Sequence, residues 1–100
     1  MKKGFEIPER YEDWNEIEFD KIKKGDYVAY YTKSFKYQNG EKKEGAFRSG
    51  GYVTIIENDN TKKFIGLKNS YGKLWTIQDE NIEFYLISPS SVKSKKTQKT

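Results

Sequence analysis

The chain has 100 residues, of which 34% are apolar and 16% are aromatic. This length allows one domain, and such a domain buries only about 60–70% of the surface that its unfolded chain exposes. Cysteine and histidine are absent, which excludes disulfide bonds and Cys/His zinc sites and removes the commonest acid–base group and nucleophile. The composition therefore predicts a non-enzymatic protein without a cofactor, whose small core depends largely on aromatic rings.

The first residues, Met-Lys-Lys-Gly, are followed by charged residues and not by the apolar stretch of a secretory signal. No apolar run approaches the roughly 20 residues that a membrane-spanning helix needs. We therefore expect a soluble, intracellular protein that is not secreted and does not bind membranes.

The formal net charge of +4 is unevenly distributed. Residues 1–20 carry seven acidic and three basic groups, whereas residues 21–49 carry eight basic and three acidic groups. Residues 50–92 are nearly neutral, and residues 93–100 add four lysines and no acid. The tail alone accounts for the net charge, so the basic middle segment is the better indication of an anionic partner.

Residues 1–18 form an acidic segment with spaced apolar side chains, and Pro8 interrupts any regular element that begins before it. Tyr11 and Trp14 are three residues apart and can share one face of a short helical turn. We interpret the segment as an arm that packs on the domain and covers a sheet edge or the mouth of the core. A second interpretation is an arm that shields the basic middle segment or mimics an anionic ligand.

Five β-prone runs separated by turn residues predict five strands, at residues 27–33, 46–57, 62–69, 74–78 and 83–88. Alternation predicts that the following pairs each share a face: Val28 with Tyr30, Val53 with Ile55, Ile65 with Leu67, Trp75 with Ile77, and Phe84 with Leu86.

Turn residues predict the connections between these strands. Asn39-Gly40 is typical of a tight turn, and residues 79–82 are long enough for one 3₁₀ turn. Gly50-Gly51 interrupts the second strand and predicts a bulge or bend.

Short strands, tight turns and a short link before the last strand fit a small five-stranded SH3-like barrel that spans residues 19–88. An OB-type barrel is the alternative, but it usually needs a helix between its third and fourth strands, where this chain has only residues 70–73. Residues 89–100 lack aromatic side chains and predict a disordered, lysine-rich tail.

Four short patterns also carry a family resemblance. They are Ile22-x-x-Gly25-Asp26-Tyr27-Val28-x-Tyr30, Phe47-Arg48-x-Gly50-Gly51-Tyr52-Val53, Leu74-Trp75-Thr76-Ile77-Gln78, and Asn81-Ile82 with Phe84 or Tyr85. In these patterns, which cover roughly residues 19–87, the chain resembles small SH3-like β-barrel proteins of giant (nucleocytoplasmic large) DNA viruses. The resemblance implies a non-enzymatic viral protein of the host cytoplasm or the virion, and it transfers no catalytic residue.

A set of cations and rings around residues 33–52 is the main candidate for a binding surface. Lysines attract phosphates, and exposed rings can stack on bases with roughly 1–3 kcal/mol each. The predicted ligand-binding residues are Lys33, Phe35, Lys36, Tyr37, Lys42, Lys43, Arg48 and Tyr52, with Tyr31 as a further ring. The other interpretation is a solvated hairpin whose rings only cover its own strands.

Arg48 lies beside the glycine pair, where its guanidinium could hold a phosphate or carboxylate with two hydrogen bonds. A salt bridge to the acidic arm is the simpler explanation for this arginine. A cage for methylated lysine is a further use of the rings of Tyr30, Tyr31, Phe47, Tyr52 and Trp75, but a core with few aliphatic side chains needs them for packing.

The tail lysines Lys93, Lys95, Lys96 and Lys99 are expected to attract phosphates without reading sequence, or else only to keep the tail soluble. Together these features predict a small barrel that binds an anionic partner, namely nucleic acid without sequence specificity. The alternative is a protein-interaction or virion-structural module with no nucleic-acid role, whose lysines are only solubilising.

Overall fold

The computed structural model describes residues 5–91. Strands are its main secondary structure and its helices are single turns, so the predicted all-β class is confirmed. The strands are β1 (Asn15–Ile17), β2 (Tyr27–Thr32), β3 (Phe35–Lys36), β4 (Lys42–Lys43), β5 (Phe47–Asn58), β6 (Lys63–Lys68), β7 (Leu74–Gln78) and β8 (Ile82–Ile87). The 3₁₀ helices are Glu9–Tyr11, Phe19–Lys21 and Asp79–Asn81. Within this part of the chain no helix is long and apolar enough to cross a membrane.

Six strands form one antiparallel sheet in the order β1-β8-β2-β5-β6-β7, and β3 pairs with β4 in a separate hairpin. The five predicted strands correspond to β2, β5, β6, β7 and β8, and the predicted 3₁₀ turn is the helix Asp79–Asn81. Strand β2 lies between β5 and β8, which makes the first and last of the five long strands neighbours. Among residues 5–91 the end strands β1 and β7 do not pair, so hydrogen bonds do not close the sheet into a barrel.

The inner face of the sheet forms the main hydrophobic core. Its members are Phe19, Ile22, Val28, Tyr30, Val53, Ile65, Leu67, Ile82, Tyr85 and Ile87. Trp75 and Ile77 of β7 pack against this cluster, while Phe84 and Leu86 belong to a cluster on the opposite face. The predicted alternation in β2, β6, β7 and β8 is therefore confirmed.

The N-terminal segment covers part of the outer face of the sheet. The ring of Tyr11 lies 4.6 Å from that of Trp14 and 4.7 Å from that of Phe47, and the ring of Phe5 lies 4.9 Å from that of Tyr31. These rings, with Ile7, pack on Ala29, Phe84 and Leu86. The same segment then supplies β1 to the edge of the sheet beside β8.

The glycine pair bends β5 as predicted. Val28 pairs with Gly51 and Tyr30 with Arg48, so β5 has one residue more than β2 over this stretch. Gly50 adopts a φ of 68°, and a Cβ at this position would collide with the carbonyl oxygen of Val28. The bulge therefore requires glycine.

A second bulge in β5 makes one predicted orientation wrong. Val53 pairs with Leu67 and Ile55 with Gly66, which again inserts one residue into β5. Val53 is buried, but Ile55 is 47% exposed, and Ile56 packs against the core in its place. Val53 and Ile55 do not share a face because the inserted residue reverses the alternation.

Residues 89–91, which the sequence assigns to the tail, form one helical turn. The Oγ atom of Ser91 accepts a hydrogen bond of 3.0 Å from the backbone N–H of Tyr27, which fixes this turn beside the start of β2. The predicted tail residues Lys93, Lys95, Lys96 and Lys99 lie outside the described residues.

Candidate functional site

Two clefts meet at Arg48, an exposed residue of β5 that pairs with Tyr30 of β2. The first has a volume of about 620 Å³ and lies between the β2–β5 loop and the 3₁₀ helix Asp79–Asn81. The second has a volume of about 450 Å³ and lies between β2, β5 and the turn that joins β6 to β7. We call them the loop cleft and the turn cleft. Because Arg48 lines both, they adjoin.

Hydrogen bonds at the base of the β2–β5 loop hold the loop cleft in shape. The backbone N–H of Thr32 donates to the carbonyl oxygen of Ala46, and the N–H of Ala46 donates to Oγ1 of Thr32, each at 2.9 Å. The N–H of Lys33 donates to the carbonyl oxygen of Asn81 at 2.9 Å. A Cβ on Gly45 would collide with the carbonyl oxygen of Thr32, so only glycine fits at this position. These contacts join the two ends of the loop to each other and attach Lys33 to the last residue of the 3₁₀ helix.

The hairpin β3–β4 lies within this loop. Phe35 pairs with Lys43, and both residues line the loop cleft. The predicted turn at Asn39-Gly40 is present, with Gly40 at a φ of 92°. The rings of Phe35 and Tyr37 meet edge to face with their centroids 4.8 Å apart, yet remain 49% and 46% exposed. The two rings therefore cover each other only in part and stay accessible to a ligand.

Ordered side chains also line the turn cleft. The indole N–H of Trp75 donates to the hydroxyl oxygen of Tyr30 at 3.1 Å, which fixes both rings. Oδ1 of Asn69 accepts hydrogen bonds from the N–H groups of Tyr71 and Lys73, at 2.9 and 3.0 Å. This turn presents Lys73 and the 93% exposed Tyr71 to the cleft.

The two clefts carry more positive than negative charge. Their cations are Lys33, Lys43, Arg48 and Lys73, and their carboxylates are Glu44 and Glu80. Glu44 lies 3.5 Å from Lys42 in an exposed ion pair, which contributes little to stability. Within residues 5–91 no carboxylate lies at ion-pair distance from Arg48, so the salt bridge to the acidic arm is not formed.

A third cleft, of about 490 Å³, shares Lys33 and Glu80 with the loop cleft but is acidic. Its carboxylates are Glu16, Glu18, Asp20, Asp79, Glu80 and Glu83. In the described part of the chain no three such groups are placed to hold a metal ion. The acidic cleft and the basic loop cleft therefore adjoin at Lys33 and Glu80.

The structure brings together half of the predicted ligand-binding residues. Lys33, Phe35, Lys43 and Arg48 line the loop cleft. Lys36 and Lys42 pair with each other on the hairpin, near Tyr37, and line neither cleft.

Two predicted rings line neither cleft and are not part of the hairpin. Tyr52 is 51% exposed, and its ring lies 4.6 Å from that of Tyr27, towards the N-terminal segment. Tyr31 stacks on Phe84 at 5.6 Å and is used in packing. Neither ring lines the loop cleft or the turn cleft, although Tyr27, which the ring of Tyr52 contacts, lines the turn cleft.

The turn cleft was missed by the sequence analysis. The turn residues around Gly72 indicate that Tyr71 is exposed, but nothing local places it near Arg48. That proximity depends on the pairing of β5 with both β2 and β6, and of β6 with β7. Predicting that Tyr71 lies near Arg48 would therefore require the order of the strands in the sheet.

Comparison of the chain with known protein families, with curated proteins and with solved structures found no significant match.

Proposed function

We propose that this protein is a non-catalytic SH3-like barrel that binds single-stranded nucleic acid without sequence specificity. The observation that carries the proposal is that Arg48 joins two clefts, which together offer four cations and the exposed rings of Phe35 and Tyr71. Phosphates would contact the cations, and bases would stack on the rings. The resemblance to viral barrels adds a site of action in the host cytoplasm or the virion.

Three features support the barrel. Strand β2 pairs with both β5 and β8, so the first and last of the five long strands are neighbours. Strand β5 has 12 residues and two bulges that bend it. It pairs with β2 along its first part and with β6 along its second part. All five long strands contribute to, or pack against, one inner core.

Single strands suit this surface better than duplexes. Exposed rings can stack only on bases that are not already stacked in a helix, and each such contact is worth about 1–3 kcal/mol. Lysine and arginine contribute attraction that does not depend on sequence, and the arginine fork can grip a phosphate with two hydrogen bonds. If all four cations contact phosphates, log K should fall with log salt with a slope of about −2.8.

The test is a titration of fluorescently labelled oligonucleotides of about 12 nucleotides, single- and double-stranded, at about 50 mM salt. We expect the single strand to bind more tightly. Arg48→Glu should weaken binding at least about tenfold, because it removes a charge-assisted contact from both clefts. Tyr71→Ala should weaken it roughly fivefold or more through lost stacking.

Two variants serve as matched controls. Lys24→Glu makes the same change to a basic residue at an exposed position that lines none of the clefts. Tyr52→Ala removes an exposed ring that lines neither the loop cleft nor the turn cleft. Both should bind like the wild type. Absence of binding at about 50 mM salt overturns the proposal and leaves the protein-interaction or virion-structural module.

A further inference from the structure

Strand β7 forms one end of the sheet, and its outer edge has no partner among residues 5–91. Natural edge strands are usually kept from pairing by charges, proline, bulges or very short length. At the other end of the sheet, β1 has only three residues and carries Glu16. Strand β7 has five residues, Leu-Trp-Thr-Ile-Gln, with neither charge nor proline, and no register shift interrupts its pairing with β6. It therefore lacks the usual protection against strand addition.

The register of β7 determines which of its backbone groups face outwards. The N–H of Asn69 donates to the carbonyl oxygen of Lys73 at the turn before β7. Hydrogen-bonded and non-hydrogen-bonded pairs alternate in an antiparallel ladder, so Trp75 and Ile77 bond to β6. The N–H and carbonyl groups of Leu74, Thr76 and Gln78 are then directed to the open edge.

Two exposed apolar side chains also lie on the outer face beside this edge. Leu74 is 65% exposed, and Ile55 is 47% exposed. Ile55 lies over Gly66, which pairs with Thr76 on its other side. The N-terminal segment packs on Ala29, Phe84 and Leu86 of β2 and β8, and Leu74 and Ile55 are not among the residues of that cluster.

We propose that β7 is a homodimerisation strand, which pairs antiparallel with β7 of a second copy around a two-fold axis at Thr76. This register places Thr76 opposite Thr76 of the second copy, and Leu74 opposite Gln78 of the second copy. Trp75 then lies opposite Ile77 of the second copy, an aromatic–β-branched pair of the kind that stabilises sheets.

Charge complementarity supports a second copy as the occupant. In the same register Lys73, just before β7, lies opposite Asp79 of the second copy, the first residue of the 3₁₀ helix after β7, whose Oδ1 accepts a hydrogen bond from Tyr85. The two-fold axis generates this pair of opposite charges twice. The strand therefore matches itself in its hydrogen bonds, its apolar pairs and its flanking charges, as an isologous interface requires.

A single pair of strands is a small interface, so we expect weak dimerisation with a Kd in roughly the micromolar to millimolar range. The full chain should shift from monomer to dimer over this range in sedimentation equilibrium. In hydrogen exchange followed by NMR, the amides of Leu74, Thr76 and Gln78 should be protected in the dimer and unprotected on dilution.

Thr76→Lys tests the register, because it places two like charges opposite each other on the two-fold axis without touching the core. We expect it to weaken dimerisation roughly tenfold or more, with an unchanged thermal midpoint at concentrations where the wild type is monomeric. Thr54→Lys makes the same substitution at an exposed position of β5, away from the edge, and should dimerise like the wild type.

Three results would overturn the proposal. One is a wild-type chain that stays monomeric up to about 1 mM. In that case the open edge of β7 would pair with a strand of another protein, if with any. Another is a dimer that Thr76→Lys does not weaken. The third is a dimer in which the amides of Leu74, Thr76 and Gln78 exchange as fast as in the monomer.

Discussion

Tyr85 combines burial with a polar contact that links the core to the acidic cleft. The residue is 3% exposed, and its hydroxyl donates to Oδ1 of Asp79 at 2.9 Å. Burial, together with the hydrogen bond to Asp79 and its charge, raises the pKa of this hydroxyl well above its ordinary value of about 10. The unfolded chain can ionise Tyr85 near pH 10, whereas the folded chain cannot. This contribution to stability is therefore complete below about pH 10 and is lost as the pH rises further.

We expect Tyr85→Phe to remove this part of the pH dependence. At neutral pH the variant should lose about 1 kcal/mol of unfolding free energy with its hydrogen bond. Above about pH 10 the wild type should lose up to about 1.4 kcal/mol per pH unit more than the variant. Urea denaturation between about pH 7 and 11 measures both effects. Tyr71→Phe, at a 93% exposed position, should keep the wild-type pH dependence. Parallel curves for Tyr85→Phe and the wild type would contradict the assignment.

Strand β5 shows which elements the sequence can predict. The bulge at Gly50 was predictable because only glycine tolerates its positive φ and the close carbonyl of Val28. At the second bulge, between Val53 and Ile55, β5 has no glycine that would indicate it. It depends on Gly66 in the next strand, where a Cβ would lie 2.5 Å from Cγ1 of Ile55. The alternation of residues within β5 carries no information about a glycine in the neighbouring strand. The predicted orientation of Ile55 was therefore wrong.

Gly50 and Gly40, two of the four described glycines with positive φ, allow a matched test of the first bulge. Gly50→Ala should destabilise the protein by at least about 3 kcal/mol, because the left-handed conformation is strained and the new Cβ meets backbone. Gly40→Ala meets nothing within 4 Å and should cost only about 1–2 kcal/mol of conformational strain. Urea denaturation of the two variants gives the difference, and near-ultraviolet circular dichroism shows whether Gly50→Ala still folds. Equal losses would mean that the bulge tolerates a side chain.

At the scale of the whole molecule, the sequence predicted the charge segregation better than the site. It separated an acidic first segment from a basic middle segment, and the fold places an acidic cleft directly beside the basic loop cleft. Half of the carboxylates of that cleft come from residues 16–20, and the other half come from residues 79–83, in a segment that is nearly neutral as a whole. The hairpin half of the site was predictable because Lys33, Phe35, Lys43 and Arg48 are near one another in the chain. Tyr71 and Lys73 join them only through the order of β2, β5, β6 and β7, which no local pattern contains.

Glu80 lies where the acidic and basic surfaces meet, since it lines both the acidic cleft and the loop cleft. If the loop cleft binds phosphates, this carboxylate repels the ligand. At about 6 Å in water such a repulsion is worth about 0.7 kcal/mol, so Glu80→Gln should tighten oligonucleotide binding roughly threefold at low salt. The gain should vanish towards about 1 M salt, where the screening length falls to about 3 Å.

Glu12→Gln is the matched control, because it makes the same charge change on the N-terminal segment. Glu12 lines none of the three clefts, so this variant should leave the affinity unchanged. Equal gains in the two variants would reduce the effect to net charge, and weaker binding by Glu80→Gln would mean that the carboxylate itself contacts the ligand.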